Sequence, residues 1–163
     1  MTSAIGKVAL VTHKLTRAAL YVSAAGLVLM TLIIGWQVFA RYVLNASPAW
    51  SETAALLLML YYIMLAAAVG VYEGFHLGLK VLVDAVSPRA RRYLDIFNNA
   101  LILLFGLVML ISSVHLAEFT ASHTIPTLGI SRAFAYLPFA AAGLFIAIFA
   151  LERLVLAVAR QGE

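Results

Sequence analysis

The chain's metal-ligating and acid–base side chains are four histidines, His13, His76, His115 and His123, and seven acidic residues; it has no cysteine. Disulfides, thiolate metal sites and cysteine nucleophiles are therefore excluded together. His115 and Glu118 stand three residues apart, a spacing that puts two ligands on one helical face. No second pair accompanies them, so a solvated polar patch at a helix end is the simpler reading. A bis-histidine haem needs two imidazoles facing one another inside the membrane, whereas His13 and His76 fall on one side of the hydrophobic segments and His115 and His123 on the other. There is no Gly-x-Ser-x-Gly elbow, no His-Glu-x-x-His pair and no glycine-rich phosphate loop. No Ser–His or paired-Asp combination stands at one depth for intramembrane proteolysis. The expectation is a chain that is not an enzyme and holds no cofactor or resident metal.

The elements available to position any functional group follow from hydropathy. Of 163 residues, 64% are hydrophobic and 11% charged, against roughly 45–50% and about 25% in soluble domains. Such a chain cannot cover a water-facing surface and belongs in a bilayer. Its surplus of four positive charges is read from placement rather than as a sign of nucleic acid. Charges are costly in hydrocarbon, so the uncharged intervals 18–40, 53–72, 96–117 and 133–151 mark spans, each near the roughly 20 residues a crossing requires. The expected fold is an all-α integral membrane protein with four transmembrane helices, a single membrane domain over 1–163. The first interval is too long for a secretory signal's apolar core of about 7–15 residues and reads as an uncleaved helix. Lys and Arg divide nine to two between the side carrying both termini and the opposite side, which predicts cytoplasmic termini.

The connections carry further signals. Between the first two spans, Pro48 marks a turn, Ser51 is a candidate helix cap and Glu52 suits a helix N-terminus, while Trp50 falls at interface depth. After the second span, Leu79, Leu82, Val83 and Val86 recur at helical spacing, predicting an interfacial helical segment over 77–93. A helix beginning near Pro88 would carry Arg89, Arg91 and Arg92 among lipid headgroups. The stretch 121–132, with Pro126 and Gly129, reads as an irregular outward-facing turn.

Within the spans, His115 is the sole imidazole and no residue is charged. A self-sufficient ion-coupled transporter needs ionisable groups there, so these spans are poorly equipped to move an ion alone. Thr31, Gln37, Asn98, Asn99, Ser112 and Ser113 are candidates for hydrogen bonds across helices; for the Ser and Thr residues plain internal packing is the preferred reading, while Gln37, four residues before Arg41, is an even choice for contact with a partner. Gly26, Gly35 and Gly106 either allow close helix approach or are ordinary membrane-helix glycines. Tyr61 and Tyr62, in mid-span, need polar partners.

The run Trp36-Gln37-Val38-Phe39-Ala40-Arg41-Tyr42-Val43-Leu44-Asn45, followed by Ser47-Pro48-Ala49-Trp50-Ser51-Glu52, resembles the end of span one and the first loop of the DctQ-like small membrane subunit of tripartite ATP-independent periplasmic (TRAP) transporters. The later Gly74-Phe75-His76-Leu77-Gly78-Leu79 is similar to that family's Gly-x-His-Ile-x-Val stretch. Thr53 and Lys80 stand where acidic residues are frequent in the family. The resemblance implies a bacterial inner-membrane subunit that partners a large multi-span subunit and a periplasmic substrate-binding protein in sodium-dependent uptake of organic acids. The large subunit would carry substrate and sodium by an elevator motion, and the small one would extend its fixed scaffold. On this reading Gln37, Arg41, Trp50 and Glu52 are candidate contacts for a partner or for the periplasmic face, Arg41 pairing either with Glu52 or outward. Arg89, Arg91 and Arg92, with Trp50, are candidate anchors to membrane phospholipids, and His76 is a candidate for fixing the turn after span two. The alternatives are a membrane anchor subunit of a respiratory or other redox complex, and a small homo-oligomeric channel or exporter.

Overall fold

The computed structural model describes residues 2–73 and 88–159, with side chains over 12–73 and 93–155. Its elements are helix α1 (Thr2–Tyr42), α2 (Ala49–Glu73), α3 (Pro88–Thr120), a two-stranded antiparallel hairpin of β1 (Thr124–Ile125) and β2 (Ile130–Ser131), a 3-10 turn (Arg132–Ala135) and α4 (Leu137–Ala159). Among the described residues four stretches are long and apolar enough to cross a membrane: Thr12–Tyr42, Ala49–Glu73, Tyr93–Thr120 and Arg132–Val155. At 1.5 Å per residue the 41 residues of α1 reach about 60 Å, roughly twice the hydrocarbon thickness. His76 and residues 77–87 of the expected interfacial segment lie outside the described residues. So do the side chains of Arg89, Arg91 and Arg92, whose backbone forms the first turns of α3.

The helices are arranged in the spatial order α1, α2, α4, α3, because α1 packs on α2, α2 on α4, and α4 most extensively on α3. In α4, 39% of the span's most apolar stretch is buried, against 11% in α1, so α4 is central and α1 forms an edge. Ala68, Ala142 and Ile146 make a core cluster, flanked by Met64, Val71, Ile102, Met109 and Phe145. Towards the end of the bundle that carries the chain termini, Tyr72 packs on Phe149 at 5.0 Å between ring centroids and Phe149 on Phe145 at 6.1 Å. There too the Arg153 guanidinium donates to the Tyr72 carbonyl, satisfying an acceptor left open by the last turn of α2.

The α3–α4 crossing depends on glycine meeting glycine. A Cβ added at Gly143 would lie 2.7 Å from the Leu110 amide nitrogen and 2.9 Å from the Gly106 carbonyl oxygen. One added at Gly106 would lie 2.9 Å from the Ala147 amide nitrogen. The two backbones touch, which is how membrane helices gain packing contact when hydrophobic exclusion between helices is weak.

α1 is covered along one narrow stripe. Thr12, Thr16, Ala19, Ser23, Gly26, Met30, Ile33, Gln37 and Ala40, spaced alternately by four and three residues, are buried or half-buried; Leu15 is half-buried and the other described side chains of α1 are exposed. That alternation is the seam of a coiled-coil contact.

Thr31 and Ser113, candidates for bonds across helices, bond instead to their own helices. Thr31 donates to Leu27 O at 2.9 Å and Ser113 to Met109 O at 2.6 Å; Thr16 and Thr120 likewise bond the carbonyl four residues back. Asn99 also turns back, donating to Asp95 O at 2.8 Å. A short side chain on a helix reaches its own preceding turn more readily than a neighbouring helix.

Candidate functional site at one end of the bundle

The α1–α2 connection and the hairpin lie at the end of the bundle opposite the chain termini. α1 stops where Asn45 takes a left-handed φ of 49°, a conformation Asn tolerates because its short polar side chain bonds locally. The Ala46 N–H turns back to Ala40 O at 3.0 Å, and α2 starts at Ala49. Ser51, expected as a cap, therefore sits inside the first turn. It is fully buried, and its Oγ donates to Pro48 O at 2.8 Å instead of accepting from the helix. Glu52 keeps its expected place in the first turn of α2.

This connection draws three of the sequence-selected residues together. Gln37 and Arg41 from α1 and Glu52 from α2 line one groove together with Met30, Ile34, Ala55 and Leu56; its volume is about 280 Å³. Gln37 and Arg41 are four apart and share a face, while Glu52 reaches it only because the connection folds α2 back along α1. Among the described residues no ion pair within 4.0 Å joins Arg41 to Glu52. Trp50 is 44% exposed and does not line the groove, so the fourth selected residue stands apart.

The stretch expected as an irregular turn is instead ordered. Thr124 pairs with Ser131 and Ile125 with Ile130, and the intervening loop closes through Gly129, at φ 66°, whose N–H bonds Ile125 O at 2.8 Å. Ser131 caps the 3-10 turn by accepting from Ala133 N at 3.2 Å and also donates to Ala121 O at 2.8 Å. Two side chains of α2 tie this region down: Tyr61 Oη donates to Phe134 O at 2.9 Å, and Thr127 Oγ1 meets Thr53 Oγ1 at 2.8 Å. Tyr61 thus finds its polar partner within the chain. The β-branched residues flanking a Pro-to-Gly turn were the available sequence signal.

His115 and Glu118 are both exposed on α3, and among the described residues no three His, Asp or Glu side chains gather. A second cleft of about 340 Å³, lined by Val71, Leu101, Ile102, Phe105 and Ile146, offers only hydrocarbon.

Residues 30–160, a stretch that contains the whole groove, match the family described as the DctQ component of tripartite ATP-independent periplasmic transporters. The chain belongs to the DctQ family. Relatives include the sialic acid TRAP transporter small permease protein SiaQ of Vibrio cholerae, 26% identical over 75% of this chain and 70% of that one. The C4-dicarboxylate TRAP transporter small permease protein DctQ of the same organism is 29% identical over 52% of this chain and 36% of that one. A putative TRAP transporter small permease protein of Haemophilus influenzae is 24% identical over 76% and 74%. A DctQ-family chain is a small permease subunit of a TRAP transporter and a multi-pass protein of the inner membrane. Membership implies a complex with a large membrane subunit and a periplasmic binding protein, and the redox-anchor alternative is not favoured.

Proposed function

We propose that this chain is the stationary, non-catalytic subunit of a sodium-dependent TRAP transporter for an organic acid, with both termini in the cytoplasm and the groove facing the periplasmic side. A large elevator-type subunit would hold the substrate and sodium sites, and a periplasmic protein would deliver the substrate. The observation that carries this reading is the character of the four spans. They pack through small residues, and the charged side chains among the described residues, such as Arg41, Glu52, Glu73, Asp95, Glu118, Arg132 and Arg153, stand towards the helix ends. Such spans are poorly equipped to move an ion by themselves. The substrate class rests on the relatives named for sialic acid and C4-dicarboxylate, both of which carry carboxylates at neutral pH.

Anchorage would come from the segment over 77–93. Arg89, Arg91 and Arg92 would each contribute about 1 kcal/mol against an anionic leaflet, and His76 would fix the turn that precedes them. An elevator needs a frame that does not follow the moving part, and headgroup contacts supply one.

The test is co-purification and transport. A tagged copy should retain a much larger multi-span partner, and proteoliposomes holding both subunits with the binding protein should take up an organic acid only with a sodium gradient. Transport by the chain alone, or by the large subunit equally well without it, would overturn the reading. Replacing Arg89, Arg91 and Arg92 together should lower uptake or complex recovery; unchanged values would remove the anchoring role.

A further inference from the structure

We propose that the groove between α1 and α2 is a binding site for one phospholipid with a primary-ammonium headgroup, the phosphatidylethanolamine class, drawn from the leaflet at the hairpin end. Three observations carry the inference.

The groove is graded from polar to apolar. Arg41, Gln37 and Glu52 line it nearest the α1–α2 connection and form its polar rim, and Met30, Ile34, Ala55 and Leu56 line it farther along the two helices as an apolar floor. From Arg41 to Met30 is about three helical turns, roughly 16 Å at 1.5 Å per residue. That is close to half of a hydrocarbon core about 30 Å thick, the depth of a single leaflet.

The rim lies at headgroup level. Trp36, Tyr42 and Trp50, neighbours in the chain of Gln37, Arg41 and Glu52 though not part of the groove lining, are 49%, 76% and 44% exposed, and exposed indoles and phenols collect at the membrane–water boundary. The floor below is therefore at acyl-chain depth.

The rim also carries two opposite charges, on facing helices, that do not pair with each other among the described residues. A zwitterionic headgroup laid along the surface satisfies both. Its phosphate accepts charge-assisted hydrogen bonds from the Arg41 guanidinium, and its ammonium donates to the Glu52 carboxylate. A purely anionic lipid would meet Arg41 but be repelled by Glu52. A quaternary choline head has no N–H to donate. Gln37, half-buried and lining the same groove, has an amide able to serve either partner. The site thus selects by headgroup chemistry and does not depend on which substrate the transporter carries.

Native mass spectrometry of the purified chain, and of its complex with the large subunit, tests this by titration with phosphatidylethanolamine, phosphatidylglycerol and phosphatidylcholine of identical acyl chains. Phosphatidylethanolamine should bind at least about fivefold more tightly than the other two. Arg41→Ala should weaken all three by about tenfold, and Arg41→Lys should stay within about threefold of the unsubstituted chain, since it keeps the charge and loses only the fork. Glu52→Gln should lower phosphatidylethanolamine to the level of phosphatidylglycerol while leaving the latter unchanged or improved. Equal affinities for the three lipids, or no effect of Glu52→Gln, would overturn the proposal. So would a photo-crosslinker at Leu56 that, in native membranes, captures the large subunit instead of lipid. Helicity and recovery of each variant, matched to the unsubstituted chain, separate lost binding from lost folding.

Discussion

The α3–α4 pair and the α1–α2 pair are built from similar small and apolar residues, yet they meet in different ways. At α3–α4, Gly106 and Gly143 bring backbone against backbone, with no room for a methyl group on either side. At α1–α2, the closest approach at Gly26 is to Tyr62 Cβ, 3.0 Å from an added Cβ, and near the hairpin end the two helices part into a groove. The first contact sets main-chain atoms of both helices against each other, whereas the second presses on a single side-chain carbon at a slightly longer distance. The first pair is therefore the tighter contact, and the second carries the groove.

The sharpest way to break that contrast is Gly143→Ala. Its methyl would collide with main-chain atoms of α3, so the helices must separate, at a cost of about 1–3 kcal/mol. Thermal unfolding in detergent should show a clear fall in midpoint, with reduced recovery of the complex; an unshifted midpoint would mean that the α3–α4 contact is not rigid. Gly26→Ala should cost less than Gly143→Ala, because its methyl would stand 3.0 Å from one side-chain carbon, Tyr62 Cβ, and not 2.7–2.9 Å from two main-chain atoms. If it equals Gly143→Ala, the two interfaces do not differ as described. Tyr61→Phe removes the bond to the Phe134 carbonyl, and comparable bonds in membrane proteins average about 0.6 kcal/mol. Faster backbone hydrogen exchange in the hairpin, with little change in unfolding midpoint, is the expected signature. Gly35→Ala, where nothing lies within 4 Å of the added Cβ, should stay within about 0.5 kcal/mol and serves as the reference against which the other three are read.

How far these features were legible in the sequence differs between the same two regions. The groove was half-readable. Gln37 and Arg41 share a face by spacing alone, and Glu52 was placed at the same membrane end, but whether it turned towards them depended on how the connection from Tyr42 to Ala49 rotates α2. That rotation is set by the left-handed Asn45 and the bond from Ala46 back to Ala40, which no periodicity records. Trp50, selected with them for its position, lies off the groove because it is two residues from Glu52, on another side of α2. Gly106 drew attention as a possible close-approach residue; what made it one was Gly143, almost forty residues later. The cap expected at Ser51 moved because α2 begins two residues earlier. The hairpin over 124–131 was missed because its strands are only two residues each, too short for alternation to show.

By itself the sequence determined the solvent, the number of crossings and the scarcity of charge within them. Each of these is a sum over many residues of transfer free energies between water and hydrocarbon, and such sums survive local uncertainty. It also carried, in the ordered run from Trp36 to Glu52, enough to indicate the family that residues 30–160 then matched. Only the tertiary structure decided which pair of helices touches backbone to backbone and which opens a charged-rimmed groove. Those outcomes turn on contacts between residues far apart in the chain, where a displacement of one ångström separates a collision from a fit, and hydropathy is indifferent to displacements of that size.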